Sequence, residues 1–170
     1  MDKMKQNYYG SLCTELYELL HKEAPRDELD FYLSYAEKDK KILEVMCGSG
    51  RFLVPFMDRG FDICGIDLSA HMLERLKKKD PSAKAVQADI LEYDSPDRFD
   101  YIFMDPPYNQ GLERRVLEVL AGSGLADAHT LIIAEADEKT DFTYLDALKM
   151  ECVRRKEYKT NVHMLSLIHI

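Results

Sequence analysis

A chain of 170 residues, 46% hydrophobic and 32% charged, holds enough apolar material for one packed domain and is too short for two ordinary ones; this composition excludes a fibrous or disordered chain. A net charge of −8 excludes a broadly cationic surface, so contact with a nucleic-acid backbone would need a local basic patch. The opening MDKMKQNYYG leads into no signal-peptide core, and no apolar run nears the ~18 residues that span a bilayer, so a cytoplasmic location and no membrane partner are expected.

From about Tyr8 to Ala36 glycine is absent after Gly10, and Leu12, Leu16, Leu19 and Leu20 are spaced as on helices broken near Pro25. This predicts a helical lead-in over residues 1–38. From Lys41 short apolar runs alternate with amphipathic ones: KILEVM, RFLVPFMDRG, FDICGID, SAHMLERLKKK, KAVQAD, FDYIFMD and GLERRVLEVLAG. Such alternation is the mark of βαβ units around a parallel sheet. TLIIAEA, a short helix near Tyr144 to Leu148, and strand-like stretches at ECVRRKEYK and NVHMLSLIHI complete the chain. The expectation is one α/β domain, Rossmann-like and doubly wound, with a mostly parallel seven-stranded sheet and helices on both faces. Cys13, Cys47, Cys64 and Cys152 show neither CxxC pairs nor a nearby histidine pattern. Buried free thiols are therefore expected, with neither zinc nor a disulfide framework, and no metal.

Chemistry enters at LEVMCGSGRF, where a strand breaks into small residues and a helix begins. Gly48 and Gly50 allow torsions and close approach that side chains forbid, and amides at the helix start can meet a polar ligand. A tight strand-to-helix turn would look the same. Three acids follow at roughly one βα unit apart: Glu44 in the first strand, Asp67 ending the second, Asp89 ending the third. In a doubly wound sheet the strands' carboxyl ends line one crevice, so these side chains should converge beside the glycine loop, and an acid after the second strand can accept both hydroxyls of a ribose. Helix capping suits Asp67 and Asp89 too, but does not explain the spacing.

With these motifs, residues 41–170 resemble the class I S-adenosylmethionine-dependent methyltransferases, whose glycine motif reads like LDLGCGTG. The resemblance implies S-adenosylmethionine as cofactor. Glu44 with Gly48, Ser49 and Gly50 would hold its methionine part, Asp67 with Leu68 the ribose, and Asp89 with Ile90 the adenine. Met46 departs from the pattern, standing where the family has its first glycine. A nicotinamide-binding domain would need GxGxxG, and its third glycine position is here Leu53.

The stretch IFMDPPYN ends the fourth expected strand on the same crevice. An exocyclic amine on a π system is a poor nucleophile because its lone pair is delocalised. The Asp105 carboxylate and the Pro106 carbonyl can take its two N–H groups and turn the lone pair toward a methyl carbon. Pro107 restricts Pro106 and holds that carbonyl in place, and Tyr108 offers a flat face for stacking. The resemblance agrees: DPPY is similar to the signature of methyltransferases acting on planar nitrogens in adenine, guanine or glutamine. No general base is assigned.

The second half, through RRKEYKTNVHML, resembles the bacterial methyltransferase of a guanine exocyclic amine in small-subunit ribosomal RNA, with Arg154, Arg155, Lys156 and Lys159 as phosphate contacts or as a solvated strand edge. In the first half the acidic stretch YYGSLCTELYELLHKEAPRDELDFYLSYAEK resembles the helical lead-in of methyltransferases with small or unassigned substrates, so a join of two genes between residues 90 and 105 is expected, and the ending LSLIHI resembles a translated sequencing adapter. The expected function is N-methylation of that guanine, with ribosomal RNA or the small subunit as partner. The alternatives are a small-molecule methyltransferase and a cofactor-binding hybrid without turnover.

Overall fold

The computed structural model describes residues 23–158 and 161–168. The expected helix before Pro25, Cys13 and Lys159 lie outside the described residues. Helix α1 (Arg26–Leu33) starts directly after Pro25 and is followed by strand β1 (Lys41–Val45), helix α2 (Leu53–Asp58), β2 (Asp62–Asp67), α3 (Ala70–Lys79) and β3 (Ala85–Gln87). Then come β4 (Tyr101–Met104), α4 (Leu112–Gly122), β5 (Leu131–Asp137), a 3-10 helix (Thr143–Leu148), β6 (Met150–Glu157) and β7 (Asn161–Ile168).

The seven strands form one sheet in the order β3-β2-β1-β4-β5-β7-β6. The first five neighbours pair in parallel, while β7 runs antiparallel to both β5 and β6. β1 and β4 are buried almost throughout because helices cover both faces, which is why they read as continuous apolar runs instead of alternating ones. One face packs Ile42, Phe103, Ile133 and Leu165 against Phe31 and Tyr32 of α1, Phe56 of α2 and Leu76 of α3. The other packs Leu43, Ile102, Ile132 and Met164 against Val116, Leu117 and Leu120 of α4 and Leu145 of the 3-10 helix. The expected α/β architecture, with helices on both faces, is what the chain forms. Two residues of the expected lead-in, Phe31 and Tyr32, are thereby part of the core under the strand ends.

Local signals explain the helix ends. Ser69 accepts from the Met72 amide and caps α3, and Lys77, Lys78 and Lys79 in its last turn complement the carbonyl end of the helix dipole. The sheet edges are blunted: β3 has three residues, and β6 carries Arg154, Arg155 and Lys156. Residues Leu165 to Ile168, from the stretch that resembles an adapter, are paired within β7 against β5 and β6. Cys47 is buried, Cys64 half-buried and Cys152 exposed, all as free thiols. Among the described residues, no helix is long and apolar enough to cross a membrane, and no group of three or more His, Cys, Asp or Glu side chains is placed to hold a metal.

Candidate active site

The site lies at the carboxyl ends of β1, β2, β4 and β5, on the face covered by α1. β1 runs straight into the glycine loop, where Met46, Gly48 and Gly50 all take positive φ, at 60°, 54° and 81°. A Cβ on Gly50 would stand 2.4 Å from Leu76 Cδ1, so both torsion and space demand glycine there. Met46 adopts the left-handed conformation without being glycine, at a cost of roughly 1–2 kcal/mol, and its half-buried side chain packs onto the core that contains α4. The loop closes through the Gly50 amide donating to Cys47 O (2.9 Å), and the Val54 amide donating to Gly50 O (3.1 Å) starts α2.

Asp67, at the end of β2, secures this loop. Its Oδ2 accepts from the Gly48 amide (2.8 Å) and its Oδ1 from the Ser69 amide (2.7 Å). Burial raises the Asp67 pKa and these backbone donors partly offset the rise. Asp67 thus converges on the glycine loop as expected, while the cap of α3 falls to Ser69 and Asp67 closes only the turn ahead of it. Ser49 is buried and accepts from Lys79 Nζ at 3.0 Å. Asp89 lies two residues beyond the end of β3, where its Oδ1 accepts from the Leu91 amide at 3.0 Å; Ile90 is buried in the core on the α4 side, and Leu68 O accepts from Gln87 Nε2 at 3.3 Å. Asp89 therefore sits in a turn, away from the end of a regular strand.

Glu44 faces α1 from β1, only 7% exposed, with Oε2 buried and without a hydrogen-bond partner. Burial pushes its pKa up to about 8 despite the nearby Arg51 cation. Its surroundings are a pocket lined by Tyr32, Phe52, Phe103, Met104 and Asp105. An orphaned carboxylate oxygen among aromatic rings suits a small cation, and the methionine end of S-adenosylmethionine carries an ammonium and a sulfonium. The residues present fit that cofactor.

Asp105 follows β4 and lines the same pocket as Glu44. Arg51, from the glycine loop, reaches it with Nη2 to Oδ2 at 3.1 Å and lies over the Phe52 ring at 4.9 Å, so the two motifs are bridged by one guanidinium. Burial and the Glu135 charge push the Asp105 carboxyl up to about 7, with Arg51 acting against them. Pro106 is buried, Pro107 exposed and Tyr108 half-buried, and the chain reverses at Asn109 (φ 60°) before α4. The Tyr108 hydroxyl donates to Glu135 on β5. The structure thus brings Glu44, the Gly48–Gly50 loop, Asp67 and Asp105 to one crevice, with Tyr108 tethered beside it.

Sequence reasoning misses Arg51, Glu135, His163 and the aromatic contribution of α1. A lone carboxylate inside the apolar run LIIAEA was the available signal for Glu135. The basic side chains of β6 are divided: Arg154 donates to the Tyr35 hydroxyl, Lys156 Nζ sits 4.4 Å from the Phe31 ring centroid and 4.6 Å from that of Tyr158, and Arg155 donates to Glu138 O at 2.8 Å.

Residues 42–124 match the family model described as a methyltransferase domain. The chain is 34% identical over 86 residues to the probable ribosomal RNA small subunit methyltransferase A of Methanopyrus kandleri, an alignment covering 48% of this chain and 31% of that protein. Against a protein of Geobacillus sp. (strain WCH70), carrying only a general methyltransferase name, it is 28% identical over 173 residues, covering 90% of this chain and 68% of the other. The chain spans a third or less of the length of the first curated relatives it matches. Its fold matches the TehB-like S-adenosylmethionine-dependent methyltransferase of Corynebacterium glutamicum with a TM-score of 0.73 at 17% identity, covering 94% of this chain and 99% of that one. Residues 42–124 thus match a methyltransferase domain, and the strand order and overall fold are those of an S-adenosylmethionine-dependent methyltransferase.

Proposed function

We propose that this chain methylates a planar exocyclic amine, with the amine of a guanine in small-subunit ribosomal RNA as its substrate. The observation that carries this reading is Asp105, set after β4 on the same pocket as Glu44 and bridged to the glycine loop by Arg51. Residues 41–92 supply the cofactor half and residues 99–170 the amine half. S-adenosylmethionine, when bound, supplies an electrophilic methyl carbon on a positively charged sulfur. Glu44 and the loop amides hold its methionine part, Asp67 with Leu68 its ribose, and Asp89 with Ile90 its adenine.

Asp105 accepts one amine N–H, competing with Arg51, while the Pro106 carbonyl accepts the other and the Tyr108 ring stacks on the base. With S-adenosylmethionine held there, the lone pair so released would be aimed at its methyl carbon, with the sulfur as leaving group taking back the bonding electrons. The nitrogen then carries the positive charge and must lose a proton. Asp105, already on that N–H and with its proton affinity raised by burial, is placed to take it. This adds a proton acceptor to a site in which the sequence indicates none.

The Methanopyrus relative and the exposed strand β6 support an RNA substrate. A small-molecule substrate is the second reading, favoured by the net charge of −8 and by the aromatic rings that hold Arg154 and Lys156. Incubating the protein with cell extract and methyl-labelled S-adenosylmethionine separates the two: label in ribosomal RNA, mapped to a guanine amine, supports the first. Label only among small molecules selects the second, and label on a carbon or oxygen atom removes the amine mechanism.

A further inference from the structure

Beside the crevice lies a buried polar cluster that the reaction as described does not use. Glu135, 3% exposed on β5, stands directly opposite His163, 0% exposed on the antiparallel neighbour β7. His163 Nε2 is 3.1 Å from Glu135 Oε2, while Asn161 Nδ2 and the Tyr108 hydroxyl both donate to Oε1, and Asn161 Nδ2 also lies 3.3 Å from the Tyr108 oxygen. Burial acts to raise the Glu135 pKa, but the His163 and Tyr108 hydrogen bonds outweigh it and hold the carboxyl below its ordinary range. An apolar residue would fill this strand position without needing three donors, as Ile133 does two residues earlier.

We propose that Glu135, braced by His163 and Asn161, is the positioning residue of the amine-binding loop, fixing the Tyr108 ring and the Asp105–Pro107 segment before it. The inference rests on reading Asp105 to Tyr108 as the amine site. β4 anchors the loop at Met104, two prolines limit its torsions, and the Tyr108 hydroxyl pins its far end to β5 and β7, just before the left-handed residues Asn109 and Gly111. A pinned ring offers its face already oriented, so less freedom is lost when a planar substrate stacks. Charge links the same groups. Asp105 feels Glu135 from β5, Arg51 from the glycine loop and Glu28 from α1, and Glu44 from β1 faces it, while Glu135 is met by His163 and Tyr108.

The test is amide hydrogen exchange at residues 108–111 in wild type, Tyr108→Phe and Glu135→Ala. Tyr108→Phe keeps the ring and removes only the tether, so it remains decisive if Glu135→Ala does not fold. Losing a hydrogen bond to a charged group should speed exchange of these amides about tenfold, leaving those of β1 unchanged. In methyl transfer, Tyr108→Phe should raise the amine KM and spare cofactor affinity. Glu135→Gln, which keeps the shape and removes the charge, should move the acid limb of the pH–rate profile to lower pH. Unchanged exchange in Tyr108→Phe overturns the tether while leaving the amine-site reading intact. Undiminished turnover in Asp105→Ala overturns that reading instead.

Discussion

Glu44→Gln should make the protein more stable and worse at binding its cofactor. The carboxyl of Glu44 is 7% exposed, its Oε2 has no partner, and burial lifts its pKa from 4.5 to about 8. Because folding raises the pKa, folding favours the protonated form: this contribution is complete below about pH 4.5 and is lost as pH climbs through 8. At about 1.4 kcal/mol per tenfold change in proton affinity, the full swing is roughly 5 kcal/mol, of which about 3 kcal/mol is already lost at pH 7. Glutamine keeps an acceptor for the Leu53 amide and cannot ionise. Thermal unfolding of both proteins should therefore give similar midpoints near pH 4.5 and a gap in favour of Glu44→Gln that widens to roughly 6–12 °C at pH 7. Contributions from other carboxyls, Asp105 included, are present in both proteins and largely cancel. A cation bound beside Glu44 restores its charged form, so wild-type cofactor affinity should rise over the same pH window, and that rise should vanish in the variant. A midpoint difference that stays flat between pH 4.5 and 8.5 would refute the claim that burial outweighs the Arg51 cation at Glu44.

Gly50→Ala combines a left-handed torsion with a Cβ 2.4 Å from Leu76, and urea unfolding should show a loss of about 2–4 kcal/mol. Asp67→Ala frees the Gly48 and Ser69 amides; calorimetry should show cofactor affinity lowered by roughly tenfold or more in a protein that stays folded. If β6 binds RNA, Arg155→Gln should reduce the slope of log affinity against log salt by about 0.7 in a filter-binding titration, and an unchanged slope argues for the small-molecule reading.

The parallel part of the sheet is legible because KILEV, DICGID and YIFM are apolar runs set between helical segments, and a parallel sheet buried on both faces demands that pattern; the order of its strands comes from the structure. The place of β7 is not legible, because NVHMLSLI is buried on both faces and would be so whichever direction it ran, and only its pairing with β5 reveals the antiparallel insertion. Convergence of Glu44 and Asp67 beside the glycine loop, with Asp105 on the same crevice, follows from topology and can be read from spacing; the third acid expected there, Asp89, instead accepts from the Leu91 amide in a turn beyond β3. The side-chain contacts cannot. Arg51 at the mouth of a helix looks like an ordinary solvent-facing cation until Asp105 is seen 3.1 Å away. Tyr32 reads as core, which it is, yet it also walls the Glu44 pocket. His163 gains meaning only from the register that sets it opposite Glu135.

The most direct test of the amine-methylation mechanism is Asp105→Ala, assayed for both S-adenosylmethionine binding and methyl transfer to the substrate fraction that wild type labels. Asp105 reaches Arg51 of the glycine loop, but the Gly48 amide is held by Asp67, so cofactor binding should persist within a few-fold while transfer falls by roughly a hundredfold or more. Transfer equal to wild type, with cofactor bound, would contradict the mechanism.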